Sequence, residues 1–168
     1  ANEQCDADNG QETATCNGIT GGPDACRTST CGDNFVNVTA GEQCDSTTGA
    51  NSATCNGNSA PVGAKCKTSV CGDDFVNGAA GETCDSTGGA NSSSCNGSTA
   101  GPVACKASVC GDNFANPADG EQCDASGGED SLTCNGDLAG AFACKNVVCG
   151  DGYVNTAKET CDDGNTTC

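Results

Sequence analysis

The 168-residue sequence contains no His, Met or Trp and only one Tyr. Val, Leu, Ile and Phe together contribute 17 residues, about a tenth of the chain, whereas a globular domain usually needs roughly a fifth. Hydrophobic burial alone therefore cannot offset the conformational entropy that folding costs. Without His the most common general base is missing, and no other motif marks a catalytic pocket, so we expect that the protein is not an enzyme.

Basic residues are also scarce, with 6 Lys and Arg against 23 Asp and Glu and a net charge of −17. A chain this acidic is repelled by nucleic acid and by anionic lipid. No run approaches the roughly 18 apolar residues of a membrane span, so neither nucleic-acid binding nor membrane insertion is expected. The first residues, Ala1-Asn2-Glu3-Gln4, are polar and show no signal peptide, which is what we expect of a mature, processed form.

What the sequence does contain is 18 cysteines, above the roughly 8–10% that indicates a disulfide scaffold. Neither CxxC nor CxC spacing occurs, which argues against a zinc ribbon or a metallothionein. Disulfides persist in oxidising compartments, so the sequence predicts a secreted or cell-surface protein.

The cysteines belong to a tandem repeat. The segment Cys31-Gly32-Asp33-Asn34-Phe35-Val36-Asn37 recurs from Cys71, Cys110 and Cys149, at offsets of 40, 39 and 39 residues. Each full repeat carries four cysteines, named here a, b, c and d in chain order. The predicted divisions are a partial repeat (b-c-d) at 1–30, repeats at 31–70, 71–109 and 110–148, and a partial repeat (a-b-c) at 149–168.

The stretches between cysteines are rich in Gly, Ser, Thr, Asn and Ala, which favour turns and loops. No apolar period of 3.6 residues extends over a helix length. Phe35–Asn37 and Lys67–Val70, with their copies, are either short strands or extended loop held by disulfides. We therefore predict a small disulfide-rich fold, mostly irregular or all-β, whose repeats form an elongated rod with little or no helix.

The four cysteines of a repeat allow three pairings, which the sequence leaves open. Direct pairing of d with the next a is the least favourable, because five residues apart in an extended strand they face opposite sides. If the bonded unit is b-c-d-a, the chain holds four complete units and a Cys161–Cys168 pair. If it is a-b-c-d, each end has an odd number of cysteines.

In the a-b-c-d phase, the C-terminal fragment of one molecule could complete the N-terminal fragment of the next. Such a heterologous contact builds open filaments. The cysteines expected to join subunits in this way are Cys5, Cys16, Cys26, Cys149, Cys161 and Cys168. The alternative is an autonomous chain, or one cut from a longer protein.

Acidic residues occupy fixed positions of the repeat and could converge once the cysteines are bonded. Together with a repeated Asn they form an all-oxygen set of the kind that Ca²⁺ prefers. The alternative is that these Asp side chains bond backbone groups in turns. The candidate Ca²⁺ ligands are Asp33, Asn37, Glu42, Asp45, Asp73, Asn77, Glu82, Asp85, Asp112, Asn116, Glu121, Asp124, Asp151, Asn155, Glu159 and Asp162.

Four Asn-X-Ser/Thr sequons predict N-glycosylation, at Asn37, Asn91, Asn96 and Asn165. The many Ser and Thr residues offer O-linked sites as well. A coat of glycan would suit a surface protein with a thin core.

The last copy resembles the Myxococcus-type cysteine-rich extracellular repeat, whose pattern is C-G-D-G followed by G-E-x-C-D-D-G-N. The matching residues run from Cys149 to Asn155 and from Glu159 to Thr166. Earlier copies keep C-G-D and G-E-x-C-D but replace D-G-N with Ser- and Thr-rich loops. The resemblance implies a secreted or surface protein without an established catalytic role, and a unit that runs a-b-c-d.

Together these features favour a structural extracellular protein, a disulfide-stapled and glycosylated subunit of a head-to-tail filament or surface matrix. Its expected partners are copies of itself, and glycans as a further possibility. One alternative is a Ca²⁺-dependent surface adhesin or stalk that acts as a binding module. A minor alternative is an ice-binding repeat protein, although Thr-x-Thr does not occur once per copy.

Overall fold

The structure is a computed structural model that describes residues 3–165. The chain forms two compact units, Ala1–Thr83 and Cys84–Cys168. Each unit is built from the same succession of turns, short 3-10 helices and disulfides. The division into repeats at 31, 71, 110 and 149 stays a prediction, since the compact units follow a different boundary.

Regular structure in the described residues consists of short 3-10 helices. One set begins three residues after each of the first four b cysteines, another follows the c cysteine, and a third follows the last Asn of the a segment. In the third set the Asn77 side chain accepts hydrogen bonds from the N–H groups of Ala79 and Ala80, and left-handed Gly81 ends the turn. The helices are Asp8–Gly10, Ile19–Asp24, Thr47–Gly49, Gly78–Ala80, Thr87–Gly89, Gly101–Val103, Pro117–Asp119, Ser126–Gly128 and Asp137–Phe142.

Between residues 3 and 165 β structure is limited to isolated antiparallel bridges. They pair Cys16 with Thr28, Cys55 with Thr68, Ser92 with Cys95, Cys95 with Ala107 and Cys134 with Asn146. Phe35–Asn37 is therefore extended loop, whereas Lys67–Val70 forms no full strand but contributes Thr68 to the bridge with Cys55. The prediction of a disulfide-rich, mostly irregular fold with little helix is confirmed. Within the same range no helix has the length and apolar character needed to cross a bilayer.

The disulfides follow two pairing rules. Each of the first four b cysteines bonds the c cysteine 11 residues later, and the a cysteines Cys31 and Cys110 bond d across 35 and 34 residues. Closing these loops restricts the unfolded chain and contributes about 3 kcal/mol for the short loop and about 4 kcal/mol for the long one. The bonds are Cys5–Cys16, Cys44–Cys55, Cys84–Cys95 and Cys123–Cys134 of the b–c kind, with Cys31–Cys66 and Cys110–Cys144 of the a–d kind.

This nesting of a b–c bond inside an a–d bond makes a-b-c-d the covalent unit. The alternative b-c-d-a unit is wrong, because Cys31 bonds Cys66, the d cysteine that comes after it, and leaves Cys26 free. Cys71, Cys105 and Cys149 are disulfide-bonded as well.

Cystine, alanine and asparagine fill the interior instead of large apolar side chains. In the second unit Cys134 and Cys144 pack with Ala125, and the partly buried Cys110 and Cys123 lie against them. Many of the larger apolar residues face solvent, such as Val62 and Leu138. The eight side chains of largest volume that are fully buried are all asparagines: Asn17, Asn37, Asn56, Asn77, Asn96, Asn116, Asn135 and Asn155.

A glycine follows the a cysteine because the chain turns tightly there. Gly32 has φ +94°, and a Cβ on it would lie 2.1 Å from the backbone nitrogen of Gly49. Gly111 has φ +95° and a corresponding distance of 2.3 Å to the nitrogen of Gly128. These close approaches bring the segment after a against the helix after b, and they leave no space for any other residue.

Candidate functional site

The asparagine after each c cysteine links one repeat to the next. In the first copy the Asn17 side-chain nitrogen donates to Oδ2 of Asp33 at 3.0 Å, and its oxygen accepts from Nδ2 of Asn37 at 3.2 Å. Asn37 Nδ2 also donates to the carbonyl oxygens of Thr13 and Cys16, at 2.9 and 3.2 Å. Because Asp33 and Asn37 belong to the following repeat, these hydrogen bonds join the two repeats.

We call this set the amide junction: the Asn after c, with the Asp and the Asn of the next a segment. The donor–acceptor distances at the second and third junctions lie between 2.7 and 3.1 Å. The four junctions are Asn17–Asp33–Asn37, Asn56–Asp73–Asn77, Asn96–Asp112–Asn116 and Asn135–Asp151–Asn155.

The last junction is incomplete. Asn155 Nδ2 donates to Asn135 Oδ1 at 2.9 Å, but the buried nitrogen of Asn135 has no hydrogen-bond partner. The donor that Asp33 or Asp112 satisfies in other copies is left unpaired here, and this costs folding free energy.

The disulfides and the amide junctions connect different pairs of segments along the chain. A disulfide unit runs from an a cysteine to the following d, whereas an amide junction joins a c segment to the a segment that comes after d. The a segment that begins at Cys31 thus contacts Asn17 of the preceding repeat through Asn37, while Cys31 itself bonds forward to Cys66. Disulfides thus hold each repeat together internally, and the amide junctions connect one repeat to the next.

The buried glutamate of the b segment supports the junction. Glu42 Oε2 accepts the N–H of Asn37 at 2.9 Å, and Glu121 Oε2 accepts the N–H of Asn116 at 2.6 Å. Burial raises the pKa of Glu42 above its usual 4.5, the hydrogen bond from Asn37 lowers it, and the charge of Asp33 adds to the rise. The pKa of Glu121 is raised by burial in the same way.

In two of the repeats the aspartate after the b cysteine faces the a–d disulfide. Asp124 Oδ1 accepts the N–H of Gly111 at 2.6 Å, and Oδ2 accepts the N–H of Asn113 at 2.9 Å. The same Oδ1 lies 3.8 Å from the sulfur of Cys144, which is bonded to Cys110. Asp45 has the equivalent arrangement, with Gly32, Asn34 and the sulfur of Cys66, also at 3.8 Å. A carboxylate therefore stands beside each of these disulfides.

In the repeat that begins at Cys110, hydrogen bonds already occupy oxygens of several predicted Ca²⁺ ligands. Asp112 accepts hydrogen bonds on both carboxylate oxygens, and so does Asp124. The side-chain oxygen of Asn116 accepts the N–H of Ala118. Glu121 Oε1 is buried without a partner, and a ligand atom of Glu121 lies within 4.8 Å of one on Asp124.

Ca²⁺ takes six to eight oxygens, and the nearby sulfurs are in disulfides, so a cation at Glu121 would have to share oxygens that N–H groups already use. Calcium binding by the sixteen candidate residues stays a prediction. Backbone hydrogen bonding by Asp33, Asp45, Asp112 and Asp124 is the observed arrangement.

Two of the cysteines predicted to join subunits are free thiols. Cys26 is half-buried and Cys161 is exposed. Cys5 and Cys16 bond each other, and Cys149 is disulfide-bonded. Cys168 lies outside the described residues.

The predicted sequons fall into two classes. Asn37 and Asn96 are fully buried, and their side-chain nitrogens donate hydrogen bonds at the amide junctions, so neither nitrogen has space for a glycan in the folded chain. Asn91 is half-buried and its side-chain oxygen accepts the N–H of Gly97 at 2.7 Å. Asn165 is exposed. Glycosylation at these positions stays a prediction.

Sequence reasoning missed the asparagine after c, although Cys-Asn-Gly is identical in four copies. It also missed an acidic residue four positions before c. Asp130 accepts hydrogen bonds from the hydroxyl of Tyr153 and from the N–H and Oγ1 of Thr156, all in the next repeat. Glu12 accepts the corresponding pair from Thr39. The strict repetition of Cys-Asn-Gly was the sequence signal that could have identified the asparagine after c.

Tyr153 also stacks on Phe142, with ring centroids 6.5 Å apart, beside a groove lined by Asp130, Asp137 and Leu138. Comparison of the chain with protein-family models, with curated proteins and with solved structures finds no match in any of the three.

Proposed function

We propose that this chain is a structural protein of an oxidising extracellular space, a subunit that joins copies of itself head to tail into a filament or surface matrix. The observation that carries the proposal is the free thiol of Cys26. Cys66 and Cys144 occupy the same d position and are bonded to an a cysteine. Cys26 occupies the same position of the repeat as a free thiol.

The way in which repeats join inside the chain supports the same function. Each amide junction is heterologous: a c segment presents one surface and an a segment presents a different one. A contact of this kind adds a further copy without closing a ring when the rotation between copies does not close. The polar, cystine-rich interior also suits a structural protein, since its folding depends little on large apolar side chains.

Assembly through the free thiols has a defined chemistry. Oxidative joining of Cys26 to a thiol of another copy forms one S–S bond and releases two protons and two electrons. The electrons reduce an external disulfide such as oxidised glutathione to two thiols. Cys26 is half-buried and is present as a thiol for this reaction.

The test is oxidative assembly of the purified 168-residue chain. After incubation with oxidised glutathione, a non-reducing gel should show a ladder with a 16.3 kDa spacing, and electron microscopy should show fibres. Cys26→Ser should abolish the ladder. The paired variant Cys84→Ser/Cys95→Ser is the control, because it removes an internal bond and leaves both free thiols. A chain that stays monomeric, keeps two reactive thiols and forms no fibres contradicts the proposal.

A further inference from the structure

Cys26 has the backbone conformation of a bonded d cysteine although it is a free thiol. Its φ is +54°, against +51° for both Cys66 and Cys144. A positive φ is uncommon for a residue with a side chain, so its recurrence marks a specific local structure. At Cys26 this structure forms without the disulfide.

The hydrogen bonds around Cys26 are also those of a bonded copy. Its carbonyl oxygen accepts the N–H groups of Gln4 and Cys5 at 2.9 and 3.3 Å, and its own N–H donates to the carbonyl of Asn17 at 3.0 Å. The carbonyl of Cys144 accepts two N–H groups at the same two distances, and its N–H donates at 3.0 Å. The position that receives an a cysteine is therefore already formed at Cys26.

Asp6, in the same partial repeat as Cys26, also lacks the contact that its counterparts make in later repeats. Asp6 follows the b cysteine, as Asp45 and Asp124 do in later copies. Asp45 and Asp124 are half-buried, because each accepts two N–H groups of an a segment, whereas Asp6 is exposed. Cys26 and Asp6 together present the groups that hold an a segment elsewhere in the chain.

The last a segment of the chain, which begins at Cys149, is folded in the manner of the others. Asn155 is fully buried at its amide junction, and Asp151 accepts the N–H of Tyr153 at 2.9 Å. Asp162 in the following tail accepts the N–H of Gly152 at 2.9 Å, which is the contact that Asp45 makes with Asn34. The tail thus supplies from the same copy a contact that Asp6 of another copy could supply.

We propose that the partner of Cys26 is Cys149 of a second copy of this chain. The inference rests on the proposed head-to-tail assembly and names its bond. The Cys26 thiol loses a proton, and its sulfur attacks the sulfur of Cys149, which is disulfide-bonded. The new Cys26–Cys149 bond forms, the old bond breaks, and the released sulfur takes up the proton. The exchange consumes no oxidant.

Cys149 reproduces the internal pairing and Cys161 does not. The a cysteine bonds d in Cys31–Cys66 and in Cys110–Cys144. Cys161 occupies a b position, and the b cysteine next to Cys26, Cys5, is already bonded to Cys16. A bond from Cys26 to Cys149 continues the repeat across the contact between copies, with Asp6 replacing Asp162 at the a segment.

Tryptic mapping distinguishes the two bonds. Cleavage after Arg27, Lys145 and Lys158 places Cys26 in peptide 1–27, Cys149 in 146–158 and Cys161 in 159–168. Polymers formed without oxidant, alkylated in acid and digested, should contain 1–27 linked to 146–158. A link from 1–27 to 159–168 within fibres overturns the Cys149 assignment and leaves the filament proposal standing. A link from Cys26 of native material to any peptide outside this sequence also overturns it.

Variants give a second readout. Cys149→Ser should stop oxidant-free assembly, and Cys161→Ser should still assemble. Asp6→Asn should slow assembly severalfold while leaving the isolated chain folded, because Asp6 is exposed. Glu3→Gln, another exposed acid of the same segment, is the matched control. Equal rates for Asp6→Asn and Glu3→Gln would contradict the part assigned to Asp6, and assembly by Cys149→Ser at the normal rate would contradict the bond.

Discussion

Asn37 donates a hydrogen bond from its side-chain nitrogen to the side-chain oxygen of Asn17 at 3.2 Å, and both side chains have 0% exposure. An apolar core tolerates a shift of one side chain past another, but a buried amide pair does not, because each displaced group loses hydrogen bonds that water cannot replace. The junction therefore fixes the register of one repeat against the next. This chain has few large apolar residues, so the buried amides take the role that large core side chains have in other proteins, which is to fix how neighbouring segments pack.

The complete and the incomplete junctions predict different costs for the same substitution. Asn96→Ala removes the 2.7 Å hydrogen bond to Asp112 and leaves Nδ2 of Asn116 with one acceptor fewer. We expect it to lower the free energy of unfolding by about 3 kcal/mol. Asn135→Ala removes a nitrogen that has no partner, so it should cost roughly 1–2 kcal/mol less.

Denaturant unfolding with the disulfides intact measures both values. Asn146→Ala is the control, because Asn146 is exposed. Equal losses for Asn96→Ala and Asn135→Ala would show that the hydrogen bond to Asp112 does not stabilise the junction.

Gly32 is expected to be irreplaceable. In Gly32→Ala the new Cβ would lie 2.1 Å from the backbone nitrogen of Gly49 at φ +94°. The backbone must move, and we expect a loss of about 3 kcal/mol or more, with a low yield of correctly bonded chain after oxidative refolding. Gly63→Ala is the matched control, since no atom lies within 4 Å of its added Cβ. Refolding of both variants to the same yield would contradict the prediction.

The sequence predicts the covalent framework of this fold better than its interior. Eighteen cysteines and few large apolar residues suffice to predict a disulfide-rich, irregular chain. The pairing of Cys31 with Cys66 was open, because spacing alone does not choose among three connectivities. Asn37 belongs to a repeated set of oxygen-bearing side chains and to a sequon, so the sequence predicts a calcium ligand or a glycan there. Its burial depends on a partner, Asn17, 20 residues earlier, and local sequence does not encode that proximity.

The buried glutamates predict an unusual dependence of stability on pH. Burial raises the pKa of Glu121, and Asp112, Asp124 and Asp119 add to the rise, so the folded state holds this proton more tightly than the unfolded state. Stability should therefore be highest at pH values below the usual 4.5 of this carboxyl and should fall as the pH rises from there through the raised value. Glu42 acts in the same direction.

The test is to measure the midpoint temperature of thermal unfolding between pH 4 and 8, at intervals of roughly one pH unit. Glu121→Gln should flatten the profile, because the amide oxygen still accepts the N–H of Asn116 without a charge. Glu129→Gln, at an exposed acid, should leave the profile unchanged. At lower pH Asp130 opposes the trend, since its pKa is lowered by hydrogen bonds from Gly136 and Thr156, which outweigh its burial. A wild-type profile that rises from pH 5 to 8 contradicts the prediction.

The carboxylate beside the a–d disulfide should slow its reduction. Asp124 Oδ1 lies 3.8 Å from the sulfur of Cys144, so an attacking thiolate approaches a negative charge. In Asp124→Asn we expect reduction of Cys110–Cys144 by glutathione to be roughly fivefold faster at low salt, with a smaller difference in 1 M salt. The Cys123–Cys134 bond of the same molecule serves as the internal control in timed alkylation and mass spectrometry. If the ratio of the two reduction rates is the same in Asp124→Asn and in the wild type, Asp124 does not protect the disulfide.

Glycan occupancy should separate the sequons by burial. Expressed in a host that modifies Asn-X-Ser/Thr, the folded and secreted chain should carry glycan at Asn91 and none at Asn37 or Asn96. A glycan on Asn96 would displace its nitrogen from Asp112 and insert a sugar where the side chain has 0% exposure, so molecules modified there should fail to fold. Asn91 uses its oxygen, not its nitrogen, in the hydrogen bond with Gly97, so its nitrogen is available for the sugar.

Peptide mass spectrometry of the secreted fraction measures the glycan occupancy of each site, and Ser93→Ala, which removes the Asn91 sequon, is the control. Glycan found on Asn96 of soluble, correctly bonded chain would mean that the third amide junction is not closed as described.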